Sequence, residues 1–583
     1  MNRYQGMGMK HMATRLRHYL IVVIVAGLLF LPNLGGHSLW DVDESHNAQC
    51  AREMLEAEDW CVPTFNFALR SDKPVLLYWV MRLAYLSFGV SEWSARIGSA
   101  LCGIASALTT YELGRRMFDA RTGLLAAIIL ASSVMFCVSA HAATPDALLI
   151  LFTVLTFTIF WCNYQRGGKS WLWIIGITTG LAVLTKGPVG VLLPTAAIGL
   201  FLIWERRLRD LIDARLLGGL LLLALVTLPW YILVGFETKW EFWRGFFGKH
   251  NFARFQQPFE GHRGPFFYHP LVMLLGFAPW SLVIGFALWF SSGKRMREDG
   301  AAIAPATHTL TSTPHQAYRL LWCWLGVWVL FFSIAATKLP NYVLRAYPVL
   351  ALFTARFLRR WSTGNVVLGI GWQRAALAAV ALLGVLISGG LLVISGAVPV
   401  PGLENRTMPD LLPLAGVGLI PVVAALWLRS LLNGQFEKVV WGTAFAAVVV
   451  VGVLAAAAPA IVDRHKVPRA LAAELASHRV DRDIQIGCVG PYQPGIVFYT
   501  DHHVRWIGEA EAIDLLRSPR QTFLIVPASL WDGIRSELHV PARIIARRRD
   551  FASGREMLLI TNREVKTPEQ SQTALQWPTD PHH

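Results

Sequence analysis

Residues 216–236 read LLGGLLLLALVTLPWYILVGF, a run of 21 residues without one charged side chain. The hydrocarbon core of a bilayer is about 30 Å thick, and a helix needs about 20 mostly apolar residues to cross it. This run therefore predicts a transmembrane helix. The same criterion predicts thirteen spans along the chain, at residues 18–35, 94–114, 122–141, 146–164, 170–185, 187–204, 216–236, 269–291, 320–336, 341–358, 375–397, 411–429 and 439–461.

The composition agrees with a membrane-embedded chain. Of its 583 residues, 54% are hydrophobic and only 16% are charged, which is too apolar for a soluble enzyme. The formal net charge of +15 does not indicate a nucleic-acid partner, because the basic residues form short clusters between the apolar runs. Many of the 23 Trp residues lie at the ends of those runs, where indole rings favour the headgroup region.

The basic clusters also predict the orientation of the chain. If the chain has thirteen spans, all the basic clusters fall on the same side of the membrane as the basic N-terminus. These clusters are at residues 115–121, 166–169, 206–215, 294–297 and 356–360. Cytoplasmic loops are enriched in Lys and Arg, so this side is predicted to be cytoplasmic and the C-terminus to be outside. The apolar run at 75–90 contains Arg82 and is too short for a comfortable span, so it is expected to lie in the interface as a helix. The first apolar run has no clear signal-peptide cleavage site and is expected to be retained.

The chain is expected to divide into three parts. Residues 1–461 form the α-helical polytopic transmembrane domain, with a functional outer loop at 36–92. Residues 462–565 are more polar and predict a small soluble α/β domain, with strands at 483–489, 495–499 and 522–526 and helices at 469–478 and 509–517. Residues 566–583 are rich in Thr, Pro, Gln and His and predict a disordered tail.

The predicted topology places an unusual set of polar residues on one side of the membrane. Ionisable groups at membrane ends are costly unless they act or pair, so a one-sided concentration of them indicates a functional site. For any single member, a solvated loop charge is the simpler interpretation. The set is Asp41, Asp43, Glu44, His46, Asp72, Lys73, Asp146, Lys186, His250, Arg254, His262, Arg263, Lys338 and Tyr342.

Three local patterns suggest chemistry within this set. In extended backbone Asp41 and Asp43 point the same way, and such a pair can act as a base, bind a metal or cap the helix that follows. Lys73 follows an acid and precedes a Pro at the expected headgroup level, where a lipid phosphate would lie. His250 and Arg254 are four residues apart and share one face if the segment is helical.

Two cysteines share the outer loop. Cys50 and Cys61 are expected to lie in an oxidising compartment, where ten intervening residues allow a disulfide to close. The spacing leaves the alternative of two free thiols open.

Several motifs together resemble one protein family. The run Leu39-Trp40-Asp41-Val42-Asp43-Glu44, the later Asp72-Lys73-Pro74, and the outer-loop His250, Arg254 and Lys338-Leu339-Pro340-Asn341-Tyr342 occur in the family's order. They resemble the bacterial aminoarabinose lipid A transferases, which belong to the protein O-mannosyltransferase-like superfamily with the GT-C fold. The resemblance covers about the first 360 residues. The rest of the chain resembles the family only in its arrangement of helices followed by an outer α/β domain.

The resemblance implies an inverting glycosyltransferase with a polyprenyl-phosphate sugar donor. It places the catalytic aspartate at Asp43, beside Glu44, and places Asp146 at the second outer loop of the cavity. The implied donor-phosphate ligands are Lys73 and Arg254, with Lys338 and Tyr342 nearby. Asp72 and His250 are implied to lie near a divalent metal ion or a phosphate, and such an ion is the expected cofactor.

This chain departs from the family pattern at two places in the first outer loop. It has Ser71-Asp72-Lys73-Pro74 where the family has Phe-Glu-Lys-Pro, and His46-Asn47 where the family has Arg-Tyr. The first change shortens a carboxylate, and the second removes one expected phosphate contact. Both lie where the substrates are expected to meet.

The expected function is transfer of a sugar, by resemblance 4-amino-4-deoxy-L-arabinose, to lipid A or a related envelope acceptor on the periplasmic face of the bacterial inner membrane. One alternative is a superfamily member that glycosylates another glycan or a protein hydroxyl. A second is a lipid or glycan transporter, although transporters place ionisable residues near mid-span. A third is a membrane enzyme that cleaves lipid phosphates. The expected partners are the lipid-linked donor, the acceptor and membrane lipids, with no nucleic acid.

Overall fold

The computed structural model describes residues 2–40, 42–257, 261–293, 299, 314–402, 406–481, 483–551 and 553–563. It divides into two compact units. The first contains residues 1–37, 50–401 and 407–461, and the second contains residues 38–49, 402–406 and 462–583.

The first unit is helical. Its main helices are Asn2–Phe30, Leu76–Phe88, Glu92–Met117, Ala120–Ala131, Val134–His141, Asp146–Tyr164, Trp171–Lys186, Val189–Trp204, Ala214–Glu237, Tyr268–Gly276, Ser281–Phe290, Pro314–Ile334, Tyr347–Ser362, Ile370–Ile394, Leu419–Ser430 and Phe436–Asp463. Short 3₁₀ helices are Leu208–Leu211, Pro340–Ala346 and Pro409–Gly418, and the outer loop holds α-helical turns at Glu241–Trp243 and Arg254–Gln256 on either side of a π-helix at Arg244–Ala253. Asp43–Glu56 begins in the second unit and ends in the first.

Seven helices in the described part of the chain are long and apolar enough to cross a membrane, and nine spans result if each of two bent pairs counts as one. The bent pairs are Ala120–Ala131 with Val134–His141, at 67°, and Tyr268–Gly276 with Ser281–Phe290, at 116°. The fold is thus polytopic and α-helical, as predicted.

Helices cover all thirteen predicted spans, but four of them do not meet the same length and composition criteria. Trp171–Lys186 and Val189–Trp204 are apolar but only 16 residues long. Glu92–Met117 and Tyr347–Ser362 carry charged side chains, among them the buried Arg96. The predicted interfacial segment is the 13-residue helix Leu76–Phe88, and its place in the interface stays a prediction.

Small residues allow the closest helix contact near the site. A Cβ atom on Gly176 would lie 2.2 Å from the carbonyl oxygen of Gly219, and a Cβ on Gly219 would lie 1.9 Å from that of Leu172. The helices Trp171–Lys186 and Ala214–Glu237 therefore approach backbone to backbone, as small residues permit in membrane proteins. This contact fixes the helix that ends at Lys186.

The second unit contains a five-stranded mixed sheet. The first two strands of the chain, β1 (Thr64–Phe65) and β2 (Ala68–Leu69), form a hairpin in the first unit. The strands of the second-unit sheet are β3 (Ile484–Cys488), β4 (Val504–Trp506), β5 (Gln521–Pro527), β6 (Arg543–Arg549) and β7 (Glu556–Thr561), in the order β4-β3-β5-β7-β6. β3 pairs in parallel with β4 and β5, whereas β7 is antiparallel to β5 and β6. The helices of this unit are Pro468–His478, Gly495–Thr500, Glu509–Leu516 and Ala528–Glu537.

The predicted α/β character of this region is confirmed, with one wrong element. The predicted strand at 495–499 is the helix Gly495–Thr500. Its apolar residues are buried on all sides, and a short run of that kind does not distinguish a strand from a buried helix. Strands β4, β6 and β7 were not predicted. The expected disordered tail, residues 566–583, lies outside the described residues.

The orientation of the chain stays a prediction from its charges. Alkaline phosphatase, which is active only outside the cytoplasm, should be inactive when fused at residue 300 and active when fused at residue 480. The physical reason is the excess of Lys and Arg in the predicted cytoplasmic loops. Activity at residue 300, or inactivity at residue 480, would contradict the orientation.

Candidate active site

A buried carboxylate shapes the loop that presents Asp72 and Lys73. Glu53 lies on the helix Asp43–Glu56 and is 4% exposed. It accepts hydrogen bonds from the Thr64 hydroxyl at 2.7 Å and from the backbone N–H of Asn66 at 2.7 Å. These residues form a hairpin of strands β1 (Thr64–Phe65) and β2 (Ala68–Leu69), whose two turn residues have positive φ, as a type I′ turn requires. The hairpin leads directly into residues 71–73.

A π-helix brings His250 to this loop. π-Helical turns are rare and occur mostly at functional sites, and here one runs from Arg244 to Ala253. A Cβ atom on Gly245 would lie 2.1 Å from the Oγ atom of Ser71, so glycine permits the close approach. The Nε2 atom of His250 lies 3.2 Å from one Asp72 oxygen, and the guanidinium of Arg70 lies 3.4 Å from the other. The sequence did not single out Arg70.

The surroundings of His250 favour its neutral imidazole. Burial lowers its pKa below the usual value, although the neighbouring Asp72 carboxylate opposes the shift. In the tautomer with its proton on Nε2 the neutral ring donates a hydrogen bond to Asp72, and in the tautomer with its proton on Nδ1 the Nε2 atom can bind a metal. The separation of 3.2 Å suits both arrangements. Within the part of the chain that the structure describes, no group of three His, Cys, Asp or Glu residues could hold a metal ion. A metal here would have two ligands from this pair and the rest from water or substrate.

The predicted residue Asp146 is the centre of a buried polar network. Its carboxylate accepts from the Lys186 ammonium at 2.6 Å and from the Arg345 guanidinium at 2.6 Å. The amide of Asn341 donates to its second oxygen at 2.9 Å. The Asp146 side chain is only 5% exposed, so its charge is compensated by the protein and not by water. Arg345 was not recognised in the sequence, because it lies within a predicted span.

This network surrounds Tyr342, which follows Asn341 in the 3₁₀ helix Pro340–Ala346. The Lys186 ammonium lies 5.8 Å from the centroid of the phenol ring. The Arg254 guanidinium interacts with the Tyr342 hydroxyl, and the charge of Lys73 acts on Lys186. Lys186 and Arg254 therefore lie beside Tyr342, and Lys73 is near enough to Lys186 for the two charges to interact. These three cations and Tyr342 form the cationic cluster.

Lys338 has a different environment from the one expected. Its ammonium donates to the carbonyls of Phe332, at 3.1 Å, and Ser333, at 2.6 Å, and its side chain is buried. These carbonyls end the helix Pro314–Ile334, where a cation is favourable. The hydroxyl of Thr337 donates to the Arg254 carbonyl at 2.8 Å. The segment with Thr337 and Lys338 is thus bonded to the loop that carries Arg254, and the Lys338 ammonium is bonded to backbone carbonyls.

The acidic segment belongs to the second unit. The described part of it places Asp43, which is exposed, at the first turn of the helix Asp43–Glu56, and Asp41 lies outside the described residues. Glu44 is 2% exposed and accepts from the backbone N–H of Trp40 at 2.8 Å. Glu44 therefore closes the turn that precedes the helix, whereas Asp43 presents its carboxylate to solvent.

The expected disulfide is not formed. Cys50 and Cys61 are both free thiols in the structure. Burial raises the pKa of Cys50 to about 12 and that of Cys61 to about 11, which suppresses the reactive thiolate. Cys50 is buried on a helix beside Tyr78, while the backbone of Cys61 accepts a hydrogen bond from Trp230. Sequence separation alone did not show that they pack against different neighbours.

Comparisons with known proteins show which families and folds this chain is similar to. The family described as dolichyl-phosphate-mannose-protein mannosyltransferase matches residues 72–232. The crystal structure of ArnT from Cupriavidus metallidurans bound to undecaprenyl phosphate has a TM-score of 0.77 and 20% identity, and the match covers 93% of this chain and 98% of that one. At this identity the match establishes the fold, that of a GT-C membrane glycosyltransferase.

Two relatives are similar in sequence over a large part of the chain. An uncharacterized protein of Aquifex aeolicus is 30% identical over 63% of this chain and 70% of its own length. The undecaprenyl phosphate-alpha-4-amino-4-deoxy-L-arabinose arabinosyl transferase of Pseudomonas aeruginosa (strain UCBPP-PA14) is 30% identical over 64% of this chain. This chain spans 66% of that transferase. It belongs to the aminoarabinose lipid A transferase-like family of GT-C glycosyltransferases, which contradicts the transporter and lipid-phosphatase alternatives.

The buried network yields a stability prediction. Asp146→Asn removes the charge that compensates Lys186 and Arg345, and breaking a buried ion pair costs about 3–5 kcal/mol. We expect a lower melting temperature of the detergent-purified protein. The matched control is Glu56→Gln, which breaks the Arg52–Glu56 pair, where Glu56 is 48% exposed, and should change little. Loss of activity at an unchanged melting temperature would instead indicate direct action of Asp146 on substrate.

Proposed function

We propose that this chain transfers a sugar from a polyprenyl-phosphate donor to an envelope acceptor at the periplasmic face of the bacterial inner membrane. The observation that carries the proposal is the cationic cluster, in which Lys186 and Arg254 lie beside Tyr342 and Lys73 lies near Lys186. Cations that are fixed at the end of membrane helices suit the phosphate of a lipid whose chain lies in the bilayer. The family match supports the same class of donor.

The proposed chemistry breaks the bond between the anomeric carbon and a phosphate oxygen of the donor. Positive charge then grows on the sugar, and negative charge grows on the leaving polyprenyl phosphate. Lys73 and Arg254 stabilise that negative charge, and Tyr342 donates a hydrogen bond to the phosphate. Asp146 does not contact the reacting atoms in this scheme, because its carboxylate is engaged with Lys186, Arg345 and Asn341. Its role is to position that part of the cluster.

The acceptor oxygen attacks from the face opposite to the leaving phosphate, which inverts the anomeric centre. If the acceptor is a hydroxyl, Asp43 takes its proton as the new bond forms. If the acceptor is an ionised phosphate, no proton needs to be removed, and Asp43 orients the acceptor or stabilises the positive sugar. The exposed position of Asp43 in the first turn of its helix supports contact with an incoming acceptor.

The donor sugar and the acceptor are the finer part of the proposal. The name of the Pseudomonas relative supports 4-amino-4-deoxy-L-arabinose on undecaprenyl phosphate as the donor. Lipid A is the acceptor that the family resemblance favours. Another glycan or a protein hydroxyl is the second candidate, because His46 and Asp72 replace the residues expected in the first outer loop. Mass spectrometry of lipid A and of envelope glycans, with and without this chain in the cell, identifies the product.

The central prediction concerns Lys73 and Asp43. Lys73→Ala should slow transfer by about 10² or more, the scale on which removal of one transition-state electrostatic contact acts. Lys73→Arg retains the charge and should retain part of the activity. Asp43→Asn should also reduce transfer sharply while expression and melting temperature stay normal. Transfer would be followed by mass spectrometry of the product made by purified protein in lipid.

The pH dependence separates the two roles of Asp43. With a hydroxyl acceptor, the defect of Asp43→Asn should shrink as pH rises, because hydroxide replaces the missing base. With a phosphate acceptor the defect should be nearly independent of pH. Full transfer by purified Asp43→Asn in lipid would contradict the proposed site.

A divalent ion, held by Asp72 and His250, is proposed as an optional helper that would supply further positive charge beside the donor phosphate. A chelator should therefore slow wild-type transfer by less than tenfold, well below the effect of Lys73→Ala. In Asp72→Asn the chelator should have no further effect, since this variant loses a ligand. Complete inactivation of the wild type by chelation, restored by added metal, would make the ion essential and contradict the proposed optional role.

A further inference from the structure

The segment that carries Asp43 is bound at its start by the helix end that precedes the C-terminal α/β domain. The backbone N–H of Ser38 donates to an Asp463 oxygen at 2.8 Å, and the Ser38 hydroxyl donates to the same atom. The ammonium of Lys466 donates to the Ser38 carbonyl at 3.2 Å. Both polar backbone groups of Ser38 therefore have partners in this domain.

The next two residues are held by side chains of the same domain. The backbone N–H of Leu39 donates to the Tyr499 hydroxyl at 2.7 Å. The Lys466 ammonium lies 3.7 Å from the centroid of the Trp40 ring, a cation–π contact. These contacts hold the backbone at Ser38 and Leu39 and the side chain at Trp40.

A further contact lies after Asp43. The Nε2 atom of His46 is 2.7 Å from the Tyr492 hydroxyl, and the Tyr492 ring packs against Trp506 at 4.7 Å between centroids. The backbone N–H of His46 bonds to the Val42 carbonyl, which places it in the same helical turn as Asp43. Residues three apart on a helix are neighbours on one face. Tyr492 therefore holds the face on which Asp43 lies.

We propose that the C-terminal α/β domain positions Asp43 for catalysis, with Tyr492 and Tyr499 as positioning residues. This inference rests on the proposed catalytic role of Asp43. Asp43 lies in the first turn of its helix, so the direction of its carboxylate depends on how the start of that helix is held. The domain holds the backbone before Asp43, at Ser38 and Leu39, and a side chain after it, at His46. His46, where the family pattern has an arginine, acts here as the link to the domain.

Tyr492→Phe tests the proposal because it removes the hydroxyl and keeps the ring. We expect kcat to fall about tenfold, since misplacement of a catalytic group by 1 Å can cost about 10². KM for the polyprenyl-phosphate sugar should stay within twofold. The matched control is Ser536→Ala, which removes a hydroxyl of the same domain that donates to the Gly533 carbonyl at 2.7 Å, and it should leave kcat unchanged. If Tyr492→Phe does not fold, Tyr499→Phe is measured in its place.

A double-mutant cycle distinguishes positioning from general stabilisation. In an Asp43→Asn background, Tyr492→Phe should cause no further loss, because the carboxylate it positions is absent. In a Lys73→Ala background it should retain its full effect. If transfer by Asp43→Asn is too slow to measure, Asp43→Glu replaces it, and the added loss should then be less than threefold. Equal losses in both backgrounds, or wild-type kcat for Tyr492→Phe, would overturn the inference alone. Full transfer by Asp43→Asn would overturn the proposed function itself.

Discussion

The carboxylate of Asp146 joins three separate parts of the chain. Asp146 is the first residue of one helix, and its carboxylate accepts a hydrogen bond from Lys186 at the end of the next helix. It also accepts hydrogen bonds from Arg345 and Asn341 in the 3₁₀ helix Pro340–Ala346. Removing ions from water is costly, and the cost is recovered only if the geometry is good and the remaining groups are bonded. Here one carboxylate accepts hydrogen bonds from two cations and an amide. The two helices and the 3₁₀ helix therefore fix one another's positions.

This network determines where the residues of the proposed donor site can lie. Tyr342 follows Asn341 directly, and Lys186 lies above its ring. Asp146 thus fixes Tyr342 through the backbone and Lys186 through the ion pair. The loop with Lys73 is fixed independently, by Glu53 in the hairpin and by the contact of Ser71 with the π-helix. Two rigid supports therefore converge on one cationic cluster, which is the condition for electrostatic stabilisation of a leaving group.

The helical layout could be predicted from the sequence because a bilayer imposes a length and a composition on every span. Residues 216–236, for example, lie within the helix Ala214–Glu237. The site was less predictable, because its pairings depend on tertiary contacts. Asp146 could be recognised as unusual, but its partner Arg345 was hidden in a predicted span. The charge of Lys338 suggested a phosphate ligand, whereas the structure places it on the carbonyls that end a helix. Local sequence does not reveal such an acceptor.

The same reasoning explains why the acidic segment needs a partner domain. Ser38 and Leu39 are buried, and polar backbone groups that are buried away from water need partners within the protein. Ser38 and Leu39 lie between two helices, so their backbone groups take part in no helical hydrogen bonds. Asp463, Lys466 and Tyr499 supply them instead. The chain returns to this segment more than four hundred residues later, so no local pattern could have shown the link. The domain that satisfies this backbone also restricts the motion of the helix start that carries Asp43, the proposed catalytic residue, and such restriction favours a productive geometry.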